Sequence, residues 1–439
     1  MAKKDEQEKP RLEVYLQRSV LVQADGQSQE FREGLPTPRS QARLEKIRTA
    51  LKKDFLVQII EECRHNPAAA GEGIEPTILG TLTRLVDSVT SEVGRALVGL
   101  TVLQLTIKAI EPEQSIRLHK GGGRGESFSW ADGIPMRVLD NTYNTPVLRR
   151  FDLLKLNADG VFMTRSLAEN YPYSKLYKAA MRGARAEWLD VVDLIEKRQL
   201  DPLPALKQVI SMLLNRSDAF KASAADAIVV IKGATKKLRS LDDGIAFIKG
   251  FVHASAYSAR VFEIAMHALF QVLEDSGEFD GFVKPLSQMR SANKKHGNIG
   301  DIEVTLSKRG LDIIESWDAK YGKPYLRDEL DELNDKLRAH PQTVVAGFVV
   351  DAKPNLKDEI LSRKAEVEEI HNVRISVIGF DEWVHEQATR VSLNKKDIAT
   401  NWVMAFAECL CQMRRDRAPI DEPSDAWVEE LKRYGANYE

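Results

Sequence analysis

Two acids and a lysine in this chain have the types and spacing for hydrolytic chemistry. Asp318 and Lys320 flank Ala319 at the end of a strand-like run, "LDIIESWDAK". Alternate side chains of a strand share a face, so Asp318 and Lys320 point the same way. Sixteen residues separate Asp318 from Asp301, which opens "GDIEVTLS". In that stretch Ile302, Val304 and Leu306 alternate with Asp301, Glu303, Thr305 and Ser307. The pattern predicts a β-hairpin. With Arg309-Gly310 as a two-residue loop, Asp301 falls opposite Asp318. Like charges opposed across a strand pair destabilise it unless something lies between them. A divalent cation suits that place. Mg2+ is a hard ion that takes carboxylate oxygens and keeps several waters. Such an ion activates water and offsets the charge that develops on a phosphoryl group. Lys320 then has three candidate tasks: orienting the water, helping to deprotonate it, or neutralising the pentavalent phosphate. Glu303, on the face of Asp301, is a candidate to assist or replace it. The same alternation also suits a solvated strand face, and the neighbouring elements have to decide.

Those elements predict a small α/β sandwich. "LRDELDELNDKL" carries Leu326, Leu330, Leu333 and Leu337 at helical spacing. "TVVAGFVVD" is a continuous apolar run, the mark of a buried central strand. A helix in "NLKDEILSRKAEVEEI", a strand in "VRISVIGF" and a helix in "NWVMAFAECLCQMRR" complete the order β-turn-β-α-β-α-β-α. An acid on the first hairpin strand, D/E-x-K on the second, then α-β-α-β, resembles the PD-(D/E)xK nuclease superfamily. The resemblance covers roughly residues 255–380. It departs from the name pattern in having Asn298-Ile299-Gly300 before Asp301, without a proline. It implies that Asp301 and Asp318 hold Mg2+ and that Asp301, Asp318 and Lys320 are catalytic. It also implies a further catalytic residue, a glutamate on the preceding helix, which "SARVFEIAMHALFQVLED" supplies as Glu263. A second D-x-K, Asp351-Ala352-Lys353, follows "GFVV" and precedes Pro354, so it reads as a strand end and helix start.

The rest of the chain is read as a mostly helical region, residues 1–250, before the nuclease-like domain at 251–439. The expected fold class is mixed α and β, with a four- to five-stranded mixed sheet in the second part. Helical periodicity is plain in "RLEKIRTALKKDFLVQIIEEC" and in "ILGTLTRLVDSVTSEVGRALVGL". Between helices lies a loop-rich segment whose Arg117, Lys120, Arg124, Arg149 and Arg150 are candidate DNA contacts. "KGGGRGESF" within it lacks the phosphate-loop pattern, so nucleotide-triphosphate chemistry is disfavoured. A basic loop whose Arg124 reads guanine is the expectation there, beside the plainer one of a mobile surface loop. Arg290, Lys294 and Lys295 sit just before Asp301 and are candidate phosphate contacts.

Composition sets the bounds. The chain has 439 residues, 43% hydrophobic and 29% charged, with a formal net charge of −2. It is not a polycation, so positive surface for nucleic acid has to be local. Three cysteines without zinc-site spacing fit a reducing compartment. The apolar stretch from Ala96 to Ile110 reads as too short and interrupted to span a bilayer, so the expectation is cytoplasmic, with no membrane partner. So much protein beyond a cleavage domain suggests sequence recognition. The whole resembles a type II restriction endonuclease acting on double-stranded DNA as a homodimer, with a cognate DNA methyltransferase encoded nearby as functional partner. The rivals are a repair or phage-defence nuclease of low sequence specificity, and a non-catalytic DNA-binding protein with a nuclease-derived fold.

Overall fold

The computed structural model describes residues 9–23, 26–67, 71–122, 128–157, 159–287, 298–308, 310–323, 325–420 and 424–438. They form two compact units, Met1–Ala219 and Phe220–Glu439. The division falls earlier than the expected one near residue 250. Its cause is the core: Ala224, Ala227, Ile231 and Ile245 are buried in one apolar cluster with Leu269 and Trp402.

The first unit opens with an antiparallel sheet of β1 (Arg11–Val14), β2 (Arg18–Val22) and β3 (Ser28–Arg32). This sheet departs from the mostly helical region expected over residues 1–250. Its inward face is short, and Leu21 and Phe31 are covered by Leu118 and Trp130 from far along the chain. Helices follow: α1 (Pro38–Lys52), α2 (Phe55–His65), α3 (Pro76–Asp87), α4 (Glu92–Ile110), α5 (Met136–Leu139), α6 (Thr145–Arg150), α7 (Arg185–Glu196) and α8 (Pro202–Thr235), whose residues from Phe220 onward belong to the second unit. The Thr37 hydroxyl accepts from the Ser40 N–H at 3.1 Å and Pro38 starts the helix, which fixes the start of α1. Helix α4 begins before the Ala96–Ile110 stretch and has 19 residues, long and apolar enough to cross a bilayer. Yet 89% of its apolar window is buried inside the protein, so it is a core helix. Two of its long polar side chains are served there: Gln104 donates to the Ile116 carbonyl and accepts from Trp188 Nε1, and Lys108 pairs with Glu196 at 3.4 Å.

The second unit contains α9 (Leu241–Ala254), α10 (Ser258–Asp275), β4 (Phe282–Val283), β5 (Ile302–Thr305), β6 (Ile313–Lys320), α11 (Arg327–Leu337), β7 (Val345–Val350), α12 (Asp358–His371), β8 (Arg374–Gly379), α13 (Phe380–Ala388), α14 (Lys395–Leu410) and α15 (Asp425–Ala436). Its sheet has the order β4-β5-β6-β7-β8. The β4–β5–β6 part is antiparallel and the β6–β7–β8 part parallel, so the sheet is mixed, as expected. One face carries Ile302, Val304, Trp317 and Val349 in a core shared with residues of α10, α13 and α14. The other carries Ala346, Phe348, Val350 and Ile375 against Leu330, Leu333, Leu337, Ile360 and Val367 of α11 and α12. The leucine stripe read from the sequence is therefore the inner face of α11. Gly347 is required where it stands, because a Cβ there would lie 2.4 Å from the Trp317 ring.

The hairpin register near the proposed site is the expected one: Ile302 opposes Trp317, Glu303 opposes Ser316 and Val304 opposes Glu315. The turn differs. Thr305 opposes Ile313, so Ile314 is an extra residue on β6, a β-bulge, and the strands end at Thr305 and begin again at Ile313, further apart than a two-residue loop requires.

Candidate functional site

Asp301 lies one step beyond the Ile302–Trp317 pair, which places it across from Asp318. Its own N–H donates to the Trp317 carbonyl at 3.0 Å, and its Oδ2 accepts from the Ala319 N–H at 2.9 Å. Gly300 permits this tight entry: a Cβ there would sit 2.7 Å from Ser316 Oγ and 2.8 Å from the Trp317 carbonyl oxygen. The carboxyl groups of Asp301 and Asp318 are close enough to share a hydrogen bond. Burial, and then the negative charge of Glu263, push Asp301 up to about 6. Burial, and then the charge of Asp301, raise Asp318 well above the usual carboxylate range. Two crowded, desolvated carboxyls resist ionising together.

Lys320 is on the same face as Asp318, as the alternation required. Its Nζ is 3.0 Å from Asp318 Oδ2 and 2.9 Å from Glu329 Oε2. The Phe348 ring lies 5.9 Å from the same nitrogen. Burial works against the cation, but the two carboxylates outweigh it and raise Lys320 above its ordinary value. Partial burial likewise opposes ionisation of Glu329, and the Lys320 contact overcomes it, holding that carboxyl below the usual range.

Glu329 was not singled out from the sequence. It stands in the first turn of α11, where acids commonly offset the helix dipole, so nothing in the sequence marked it as a neighbour of Lys320. Glu263, on α10, is close enough for its charge to act on Asp301, and its carboxylate is paired with Arg260 at 2.8 Å. Glu303, the other candidate on the face of Asp301, is engaged elsewhere. It is 3% exposed, pairs with Lys284 at 2.6 Å and accepts from the Ile299 N–H at 2.6 Å, which ties down the segment before β5. Asp351 of the second D-x-K follows the last residue of β7 and accepts from the Gly322 N–H at 2.8 Å, so it is a strand-end residue.

The cationic candidates divide. Arg117 is 2% exposed; its guanidinium pairs with Asp193 at 2.6 Å and donates to the Tyr173 carbonyl at 2.6 Å. This corrects its assignment as a DNA contact, since a guanidinium bound inside the core cannot reach a phosphate. Arg149 is half-buried and donates to the Leu156 carbonyl. Arg150 is exposed, with its guanidinium 4.8 Å from the Phe151 ring centre. Lys120 is half-buried, donates to Asn170 and lies over Phe128. Arg124, Arg290, Lys294 and Lys295 lie outside the described residues. Burial holds His119 down at about 3 and His267 at about 4, both neutral near pH 7.

Asp301 and Asp318 have the hard oxygen donors and the mutual repulsion that suit Mg2+. Among the described residues no group of three or more His, Cys, Asp or Glu side chains gathers as a ready metal site. A cation on this pair would therefore take the rest of its shell from water or substrate. Comparison of the chain with protein-family models and with curated protein sequences gave no match in either case.

Proposed function

We propose that this chain is a Mg2+-dependent endodeoxyribonuclease of the type II restriction kind, which hydrolyses phosphodiester bonds at a specific sequence in duplex DNA. The observation that carries the reading is the half-buried Asp301–Asp318 pair with Lys320 on the same strand face. The hairpin that holds them is followed by α11-β7-α12-β8 and preceded by α10 with Glu263. This is the order of elements by which the sequence resembles PD-(D/E)xK nucleases.

In this reading Asp301 and Asp318 hold the cation, and Glu263 biases the charge on Asp301. Bound Mg2+ supplies an activated water and offsets phosphoryl charge. The Ala319 N–H fixes Asp301 from the backbone, so the carboxylate needs no reorganisation on binding. Lys320 is held as a cation by Asp318 and Glu329. That favours charge neutralisation at the phosphate over proton abstraction from water. The protein would be cytoplasmic, act as a two-fold homodimer so that both strands are cut, and be paired functionally with a DNA methyltransferase encoded nearby.

A second reading is a repair or defence nuclease with little sequence preference. The burial of Arg117 favours it, because one candidate for reading DNA is lost to the core. The test is incubation of the purified chain with phage DNA and Mg2+. Discrete fragments support restriction, and a smear supports the second reading. Intact DNA under all divalent ions would overturn both and leave a DNA-binding protein with a nuclease-derived fold.

A further inference from the structure

We infer that Glu329 is a positioning residue for Lys320, holding that side chain in place for the reaction while Asp318 serves the cation. The inference rests on the nuclease reading and names a residue outside the acid-acid-lysine set. Lys320 has two carboxylate partners of different kinds. Asp318 is two residues away on its own strand and faces Asp301. Glu329 comes from another element, at 2.9 Å, and has no part in the Asp301 contact. A carboxylate that turns its oxygens to a metal ion weakens its hold on a neighbouring ammonium. Glu329 is then the anion that keeps Lys320 from swinging away on its four-carbon stem.

The fold makes Glu329 fit for this. Leu326, Leu330 and Leu333 are buried in the core beneath α11, so the first helical turn is anchored on both sides of residue 329. Phe348 of β7 closes the slot from the sheet side. Lys323 also reaches Glu329, at 3.3 Å, but is 64% exposed, so that pair is a weak competitor.

The test compares the full chain with Glu329→Gln and Glu329→Asp in three measurements: cleavage kinetics, Ca2+ binding by calorimetry, and the rate at which a small amine-modifying reagent labels Lys320, with exposed Lys353 as internal reference. Glutamine keeps the shape and the helix and removes the charge. The expected result is a fall in kcat of about 100-fold with KM little changed, as for a misplaced reacting group. Lys320 should label several-fold faster relative to Lys353, Ca2+ affinity should be unchanged, and Glu329→Asp should recover part of the rate. Unchanged labelling and unchanged kcat in Glu329→Gln would overturn the inference and leave the nuclease reading standing. A parallel loss of Ca2+ affinity would overturn it too, by making Glu329 a ligand. Faster labelling in a protein whose wild type cuts no DNA under any divalent ion would refute the nuclease reading, and with it the catalytic sense of the contact.

Discussion

Asp301 stands directly across the strand pair from Asp318, and the backbone N–H of Ala319, the next residue along, donates to its Oδ2 at 2.9 Å. The fold therefore forces two carboxyl groups together and satisfies only part of their need for donors. This has a signature in stability. An acid whose pKa is raised in the folded state stabilises the fold at low pH, and that contribution is lost as pH rises through the folded value, here about 6 for Asp301. Asp318→Asn removes a carboxyl that burial and the charge of Asp301 push up, so in EDTA the variant should gain stability relative to wild type as pH rises toward 8. Thermal melts from about pH 5 to about pH 8 check it. A variant that gains nothing relative to wild type over that range would mean the carboxyls do not repel each other.

The same pair carries the chemistry in the proposed function. Asp301→Ala and Asp318→Ala should each abolish cleavage and leave DNA binding largely intact, because each removes a metal ligand rather than a phosphate contact. Ca2+ should support binding without cutting. Gel-shift and plasmid cleavage assays suffice, and full activity in either variant would end the assignment.

Lys320→Ala should keep the metal and the fold and lose about 100- to 1000-fold in single-turnover rate, the scale of a lost transition-state charge contact. Lys320→Arg should rescue little. The slot between Asp318, Glu329 and Phe348 was shaped by an ammonium, and a planar guanidinium differs in size and donor geometry.

The arginines expected to touch DNA should separate by exposure. Arg150→Ala should weaken binding and lower the salt slope by about one if Arg150 meets a phosphate. Arg117→Ala should leave the DNA affinity of the folded protein unchanged and destabilise the fold by about 3 kcal/mol, because it strands Asp193 beside a cavity. Titrations at several salt concentrations and urea unfolding distinguish the two behaviours.

Arg390 tests a supporting contact. Its guanidinium makes a bidentate pair with Glu315 at 2.7 and 2.9 Å, and Glu315 also accepts from Trp317 Nε1 at 2.7 Å. Arg390→Ala leaves a nearly buried carboxylate unpaired on β6, the strand that carries Asp318. It should lower stability by about 3 kcal/mol, read from the urea midpoint.

The second unit was legible in the sequence because its signals are periodic and local. The alternation in residues 301–307, the leucine stripe of α11 and the apolar run of β7 each announce one buried face. The hairpin register followed from them well enough to oppose Asp301 and Asp318. What escaped depends on contacts between distant residues. The β1–β3 sheet is covered by Leu118 and Trp130, which nothing in residues 11–32 reveals. Arg117 looked like a surface cation because its partner Asp193 is 76 positions away. Glu303 looked like a spare ligand because its ion pair with Lys284 comes from β4 and its flank, a strand too short to be read from alternation. Glu329 meets Lys320 only through the packing of α11 on the sheet.

The extra residue at Ile314 matters beyond local geometry. In a plain two-stranded ribbon, any change in the length of the connecting turn is passed along the ladder, and a slip of one residue turns every side chain to the opposite face. Here the bulge lies between the connection and the three well-registered pairs that lead to Asp301 and Asp318. It acts as a break in transmission. Residues could be inserted or removed in the connection, and the tip reshaped for whatever it touches, while the two carboxyls stay opposed. The hairpin thus separates a part free to diversify from a part that is not.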